Sequence, residues 1–166
     1  MRPVPLSVFL HWPTPNYVNP VTRGDALLVI NIIFIILVTL SVAIRLYARM
    51  KIRSQAGIDD IMIVLAYVFT IGMTAVVLLA NRNYGWNRHM WDVEVGMIEH
   101  ANIIAFVAKL MFTFASCFTR MSLIFLYYRL VKDTQLWWYR VTLHISLAFN
   151  IAILISFTLI ATFICM

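Results

Sequence analysis

Four long apolar runs, separated by short polar stretches, make up most of the chain; they span about 26–47, 61–81, 101–128 and 141–164. At about 1.5 Å per helical residue, some twenty residues match a hydrocarbon layer of roughly 30 Å, so each run predicts a helix that crosses a bilayer. The expected fold class is all-α, a multi-span transmembrane helix bundle.

The third run breaks the apolar pattern, because Lys109 and Arg120 lie inside it. At about 100° per residue, Asn102, Lys109, Thr113, Ser116 and Arg120 fall on one narrow stripe, with Leu, Ile, Phe, Met and Val elsewhere. A charge at the centre of a membrane helix costs roughly 2.5 to 3.5 kcal/mol on insertion scales. Two on one stripe imply a face turned toward protein or a watery cavity, and this helix is expected to be the inner one of the bundle. The bland alternative is that Lys109 and Arg120, each displaced from the helix midpoint, snorkel to opposite headgroup layers.

The connecting stretches add orientation. Residues 1–24 hold all five prolines and predict a non-helical tail. Its apolar stretch is broken by His11 and Pro13, which makes it a poor signal peptide and leaves targeting to the first span. Arg45, Arg49, Lys51 and Arg53 follow that span, with Arg45 expected to snorkel outward alongside the others. The positive-inside rule then places this loop in the cytoplasm and makes residues 1–24 an extracellular tail. Gly57 predicts a turn. Asp59 or Asp60 is expected to cap the second helix, and either could pair with Arg49, Arg53 or Arg129 as a cytoplasmic latch.

The second loop, residues 81–100, combines Tyr84, Trp86 and Trp91 with His89, Asp92, Glu94, Glu99 and His100. Its aromatics suit an interfacial belt. A metal set of His89, Asp92, Glu94 and His100 has irregular spacing and no cysteine, so solvated loop charges are the expectation. In the third loop Trp137, Trp138 and Tyr139 are expected at the headgroups, and His144 near the same interface. Ser146, Asn150, Ser156, Thr158 and Thr162 in the fourth span suit hydrogen bonds between helices. Cys117 and Cys165 lie at different depths and predict no disulfide.

Composition agrees with the pattern: 63% of the 166 residues are hydrophobic, 12% are charged, and mean hydropathy is +0.88. The net charge of +6 sits mainly in short loops, so a bilayer and not nucleic acid explains it. No phosphate-binding glycine loop, paired catalytic carboxylates or nucleophile motif occurs, and neither an enzyme nor a cofactor is expected.

Taken together, Arg45 and Arg49, then Gly57, Asp59 and Asp60, then Tyr84, Gly85, Arg88, His89, Trp91 and Asp92, then Ser122, Leu123, Phe125, Tyr128 and Arg129, and finally Cys165 form an ordered set. This set resembles the fungal rhodopsin-like integral membrane domain family, whose members are seven-span proteins described as receptor-like and G-protein-coupled. Asn87 stands where the family's loop has a second glycine, and Arg120 where a lysine is more usual. The resemblance implies that the chain is the truncated N-terminal part of a seven-span protein. It does not imply retinal chemistry: the Schiff-base lysine of familiar rhodopsins lies in a last span beyond these four. The spans here carry no interior acidic residue for proton pumping.

The function expected is receptor-like signalling at the plasma membrane. On the ligand side stand Lys109, Asn102, Thr113, Ser116, His89, Trp91 and Asp92. On the cytoplasmic side Arg49, Asp59, Asp60, Arg120, Tyr128 and Arg129 would face a heterotrimeric G protein or another signalling partner. The alternatives are a small-solute transporter using Lys109 and Arg120, or a four-span scaffold or nonfunctional gene fragment. Transport is less favoured, because no span holds a proline and Gly72 is the only glycine well inside one.

Overall fold

The computed structural model describes residues 24–52, 57–131 and 137–164, together with 13, 14, 16, 17 and 19–22 of the tail. Four long helices account for nearly all of it. Helix α1 covers Ala26–Tyr47 and runs on through a wider π-helical stretch, Ala48–Ile52. Helix α2 covers Ile58–Asn83, a short 3-10 turn covers Met90–Asp92, α3 covers Val95–Val131 and α4 covers Trp137–Ile164. All four are long and apolar enough to cross a membrane, and the described residues form no strand beyond one isolated bridge between Thr22 and Arg88. The protein is an integral, multi-pass membrane protein.

Three helices begin earlier than their hydrophobic runs: α2 at Ile58, α3 at Val95 and α4 at Trp137. The extra turn of α3 contains Gly96, Glu99 and His100, which hydropathy alone assigns to a loop. With 37 residues α3 is about 55 Å long, so even steeply tilted its ends stand outside a hydrocarbon layer of roughly 30 Å.

Neighbours in sequence are neighbours in space. Helix α1 packs on α2, α2 on α3, and α3 on α4, so α2 and α3 each have two neighbours, and α3 is the most buried of the four, as expected from its polar stripe. Lipid solvates apolar side chains as well as protein does, so there is no hydrophobic drive to bury them. Accordingly Phe34 on α1 is 63% exposed, whereas the buried positions are mainly small: Ala66, Ala80, Ala108, Ala115, Cys117 and Ser122. Small residues let the helix backbones approach closely, and dispersion and polar contacts then hold them.

Each seam has its own fastening. Between α2 and α3, Phe69 stacks on Phe114 and Phe118 with ring centroids 5.2 and 5.6 Å apart. The hydroxyls of Thr39 on α1 and Tyr67 on α2 meet at 2.8 Å. On α4 the buried Asn150 donates from Nδ2 to the Cys117 carbonyl of α3 at 3.1 Å. Thr158 and Thr162, expected to bond between helices, instead donate to the carbonyls of Leu154 and Thr158 in their own helix. A hydroxyl facing lipid has no other partner within reach, so bonding back one turn satisfies it.

Candidate functional site

One end of the bundle, where α1 hands over to α2, holds an ionic cluster. Arg45 and Arg49 are four residues apart and therefore share a face of the helix. They meet the two aspartates that open α2. Arg49 Nη2 lies 2.9 Å from Asp59 Oδ2, and Arg45 Nη2 lies 3.5 Å from the same oxygen. Asp60 Oδ1 is 4.0 Å from Arg45 Nε and 3.9 Å from Arg49 Nε. Its other oxygen accepts the Gly57 N–H at 3.0 Å, and the Asp60 N–H donates to the Gly57 carbonyl at 3.0 Å, closing the first turn of α2. Asp60 thus caps the helix and faces the arginines at once, as both readings of the aspartates required.

Ser122 brings in α3. Its hydroxyl donates to the Asp59 carbonyl at 2.7 Å and accepts from Arg45 Nη2 at 2.9 Å. Arg49, Asp59, Asp60 and Ser122 are all buried, at 8%, 4%, 7% and 0% exposure. Two cations and two anions balance each other out of water, and removing one partner of such a pair typically costs about 3–5 kcal/mol. Arg45 therefore does not snorkel outward as expected: two carboxylates and a hydroxyl hold it inward. Of the other latch partners considered, Arg53 lies outside the described residues, and Arg129 Nη1 sits 3.6 Å from where a Gly57 Cβ would be. That same Cβ would overlap Asp59 Oδ1, which is why the corner needs glycine.

The opposite end carries the aromatic loop, and its charges are not all solvated. Asp92 is 5% exposed, and its Oδ1 accepts the backbone N–H of Asn16 at 2.9 Å. Asn16 also exchanges two hydrogen bonds with Asn19, at 2.9 and 3.1 Å, while Thr22 bridges to Arg88. The tail is thereby fastened across the loop. Gly85, at φ +69°, supplies the left-handed turn the loop needs. His89 stacks flat on Trp91 at 4.7 Å, and His100 stacks on Tyr84 at 6.1 Å. The two histidines serve different stacks, and among the described residues no three His, Cys, Asp or Glu side chains converge as a metal site.

Between these ends, Lys109, Thr113, Ser116 and Arg120 line one groove of about 420 Å³. Helix α3 forms its floor, Met73 and Val77 of α2 one wall, Ile153 and Phe157 of α4 the other, and Trp86 of the loop its mouth. Four of the five stripe residues are thus brought together. Asn102 is not: it lines an adjoining hollow with Tyr84 and Arg88, which shares Trp86 and Ala105 with the groove. Thr113 is buried and donates to the Lys109 carbonyl at 2.9 Å. Lys109 and Arg120 are exposed, and neither has an acidic partner among the described residues. Farther along α3, Tyr128 Oη meets His144 Nδ1 of α4 at 2.8 Å, so His144 is engaged by a neighbouring helix.

A family model described as the fungal rhodopsin domain matches residues 44–166. The chain belongs to that family. The matched part of this fungal rhodopsin domain begins just before Arg45, so it takes in the whole ionic cluster, the aromatic loop and the groove. The tail and most of α1 precede it. No curated protein and no solved structure matches the chain. Sequence reasoning about this rhodopsin domain missed Arg45 as a cluster member, Asn16 as the partner of Asp92, and Trp86 as the groove's mouth. The four-residue spacing of Arg45 and Arg49 was the readable signal for the first; the other two depend on how distant segments meet.

Proposed function

We propose that this membrane protein is a receptor-like signalling protein of the plasma membrane, acting by binding and not by catalysis. The observation that carries the reading is the groove. It gathers Lys109, Thr113, Ser116 and Arg120 from one helix stripe into a single concave surface beneath an aromatic loop. Sites of a few hundred Å³ with apolar walls and few polar groups are typical for small ligands. The orientation we propose puts the N-terminus and the loop outside. Arg45, Arg49, Lys51, Arg129 and Arg140 crowd the opposite end, which supports a cytoplasmic placement by the positive-inside rule. Tyr128, Arg129 and the residues around Arg49 would then face a heterotrimeric G protein or another cytoplasmic partner.

The test is a G-protein dissociation sensor in intact cells displaying the protein, challenged with small anionic and polar solutes. A response that Lys109→Ala abolishes, at unchanged surface display, is the expected result. Uptake or release of a solute through the same residue with a silent sensor would replace signalling by transport.

A further inference from the structure

The groove is unbalanced in charge and almost wholly apolar in its walls. Lys109 and Arg120 lie eleven residues apart on α3, roughly 16 Å along its axis. Between their levels the lining is mainly Met73, Phe112, Cys117, Ile153 and Phe157, with Thr113, whose hydroxyl bonds back to the Lys109 carbonyl, and Ser116 as its polar members. Among the described residues the acids are all elsewhere: Asp59 and Asp60 are committed to the arginines, Asp92 to Asn16, Asp25 and Glu94 immediately precede α1 and α3, and Glu99 lies ten residues from Lys109 toward the end of α3. A lysine beside an apolar trough in the hydrocarbon layer, with no carboxylate in reach among the described residues, calls for an anion delivered with the ligand.

We infer that the groove takes an anionic amphiphile, its head held by Lys109 beneath Trp86 and one alkyl chain laid along Phe112, Met73, Ile153 and Phe157. The inference rests on reading the groove as a ligand site and adds the class of ligand. Lys109 is assigned the head because, of the two cations, it is the one toward the loop end of α3, so an anionic head entering past Trp86 reaches it before the apolar stretch. Its ammonium is a flexible point donor suited to a carboxylate or a phosphate. Arg120 lines the far end of the groove and is left to reach the headgroup layer there. Free fatty carboxylates and bilayer phospholipids both offer an anionic head on an alkyl chain, and the experiment separates them.

The full chain, reconstituted in nanodiscs of neutral lipid, is titrated with dodecanoate and with dodecanol, and native mass spectrometry records any phospholipid carried from the cell membrane. Dodecanoate binding about tenfold more tightly than dodecanol, with that preference lost in Lys109→Gln and kept in Lys109→Arg, is the expected result. A phospholipid retained by the wild type, lost from Lys109→Gln and competed off by dodecanoate supports the same site with the bilayer as its source. Phe112→Ala, which leaves the charge in place, lowers the affinity for dodecanoate and dodecanol alike. Equal binding of the two probes to the wild type overturns the proposal, as does a preference that survives Lys109→Gln. The readout needs no G protein, so bound dodecanoate with a silent sensor overturns the signalling reading alone.

Discussion

Arg49 and Asp59 meet at 2.9 Å across the corner between α1 and α2, and both side chains are buried. Such a pair is harder to break than to replace, because a lone charge is left out of water when one partner goes. Asp59→Ala is expected to destabilise the protein by about 3–5 kcal/mol, and replacing both Arg49 and Asp59 by leucine by clearly less. Thermal melting of the single and double variants in nanodiscs measures the difference. A loss in the double variant as large as the sum of the two single losses would mean the pair contributes no mutual attraction.

Gly57 stands against the same aspartate. A methyl group there overlaps Asp59 Oδ1, so Gly57→Ala is expected to cost about 1–3 kcal/mol in the wild type. In an Asp59→Ala background the obstruction is gone and the added cost should fall well below that value. Additive costs in the two backgrounds would show that the corner yields elsewhere.

Ser122 donates to the Asp59 carbonyl and accepts from Arg45, and it is fully buried. Ser122→Ala leaves both partners short of a hydrogen bond, with an expected loss of about 1–3 kcal/mol. Ser122→Thr keeps the hydroxyl but adds a methyl to a tight seam and should also destabilise. Melting that is unchanged in Ser122→Ala would remove α3 from the cluster's energetics.

The tail's attachment is testable by proteolysis. Asp92 accepts the backbone N–H of Asn16, so Asp92→Ala should release the tail and speed cleavage ahead of Ala26. Asp92→Asn retains an acceptor oxygen and should cleave nearly as slowly as the wild type. Asn16→Ala keeps the backbone donor and loses only the turn with Asn19, so its effect should be intermediate.

Orientation is checked by a cysteine at Ser54, in the loop proposed as cytoplasmic. It should resist a membrane-impermeant maleimide added to intact cells and react after permeabilisation. Labelling of intact cells would invert the proposed topology.

The helices were readable because a bilayer admits few alternatives to a run of apolar residues closed on its own hydrogen bonds. The inner position of α3 was readable for the related reason that Lys109 and Arg120 are costly beside lipid. The direction of Arg45 was not. A cation at a span's end gives one linear pattern whether it reaches out to headgroups or inward to a carboxylate. The choice falls to Asp59, which the chain brings back only after the turn at Gly57. The first turn of α3 was hidden by its polarity, since hydropathy reports the hydrocarbon layer and not the helix that continues past it. The burial of Asp92 depends on Asn16, 76 positions away, a pairing that no local pattern announces.

Helix α3 runs without a proline from beneath the aromatic loop to the level of Tyr128 and Arg129. It therefore has no joint at which a movement could be absorbed, and it behaves as a lever. With the Arg45–Asp59–Ser122 contact as its fulcrum, a tilt of roughly ten degrees swings the end by the aromatic loop through roughly 7 Å and the opposite end through roughly 2 Å. A broad movement at the loop end is in this way geared down to a small displacement on the far side of the bilayer.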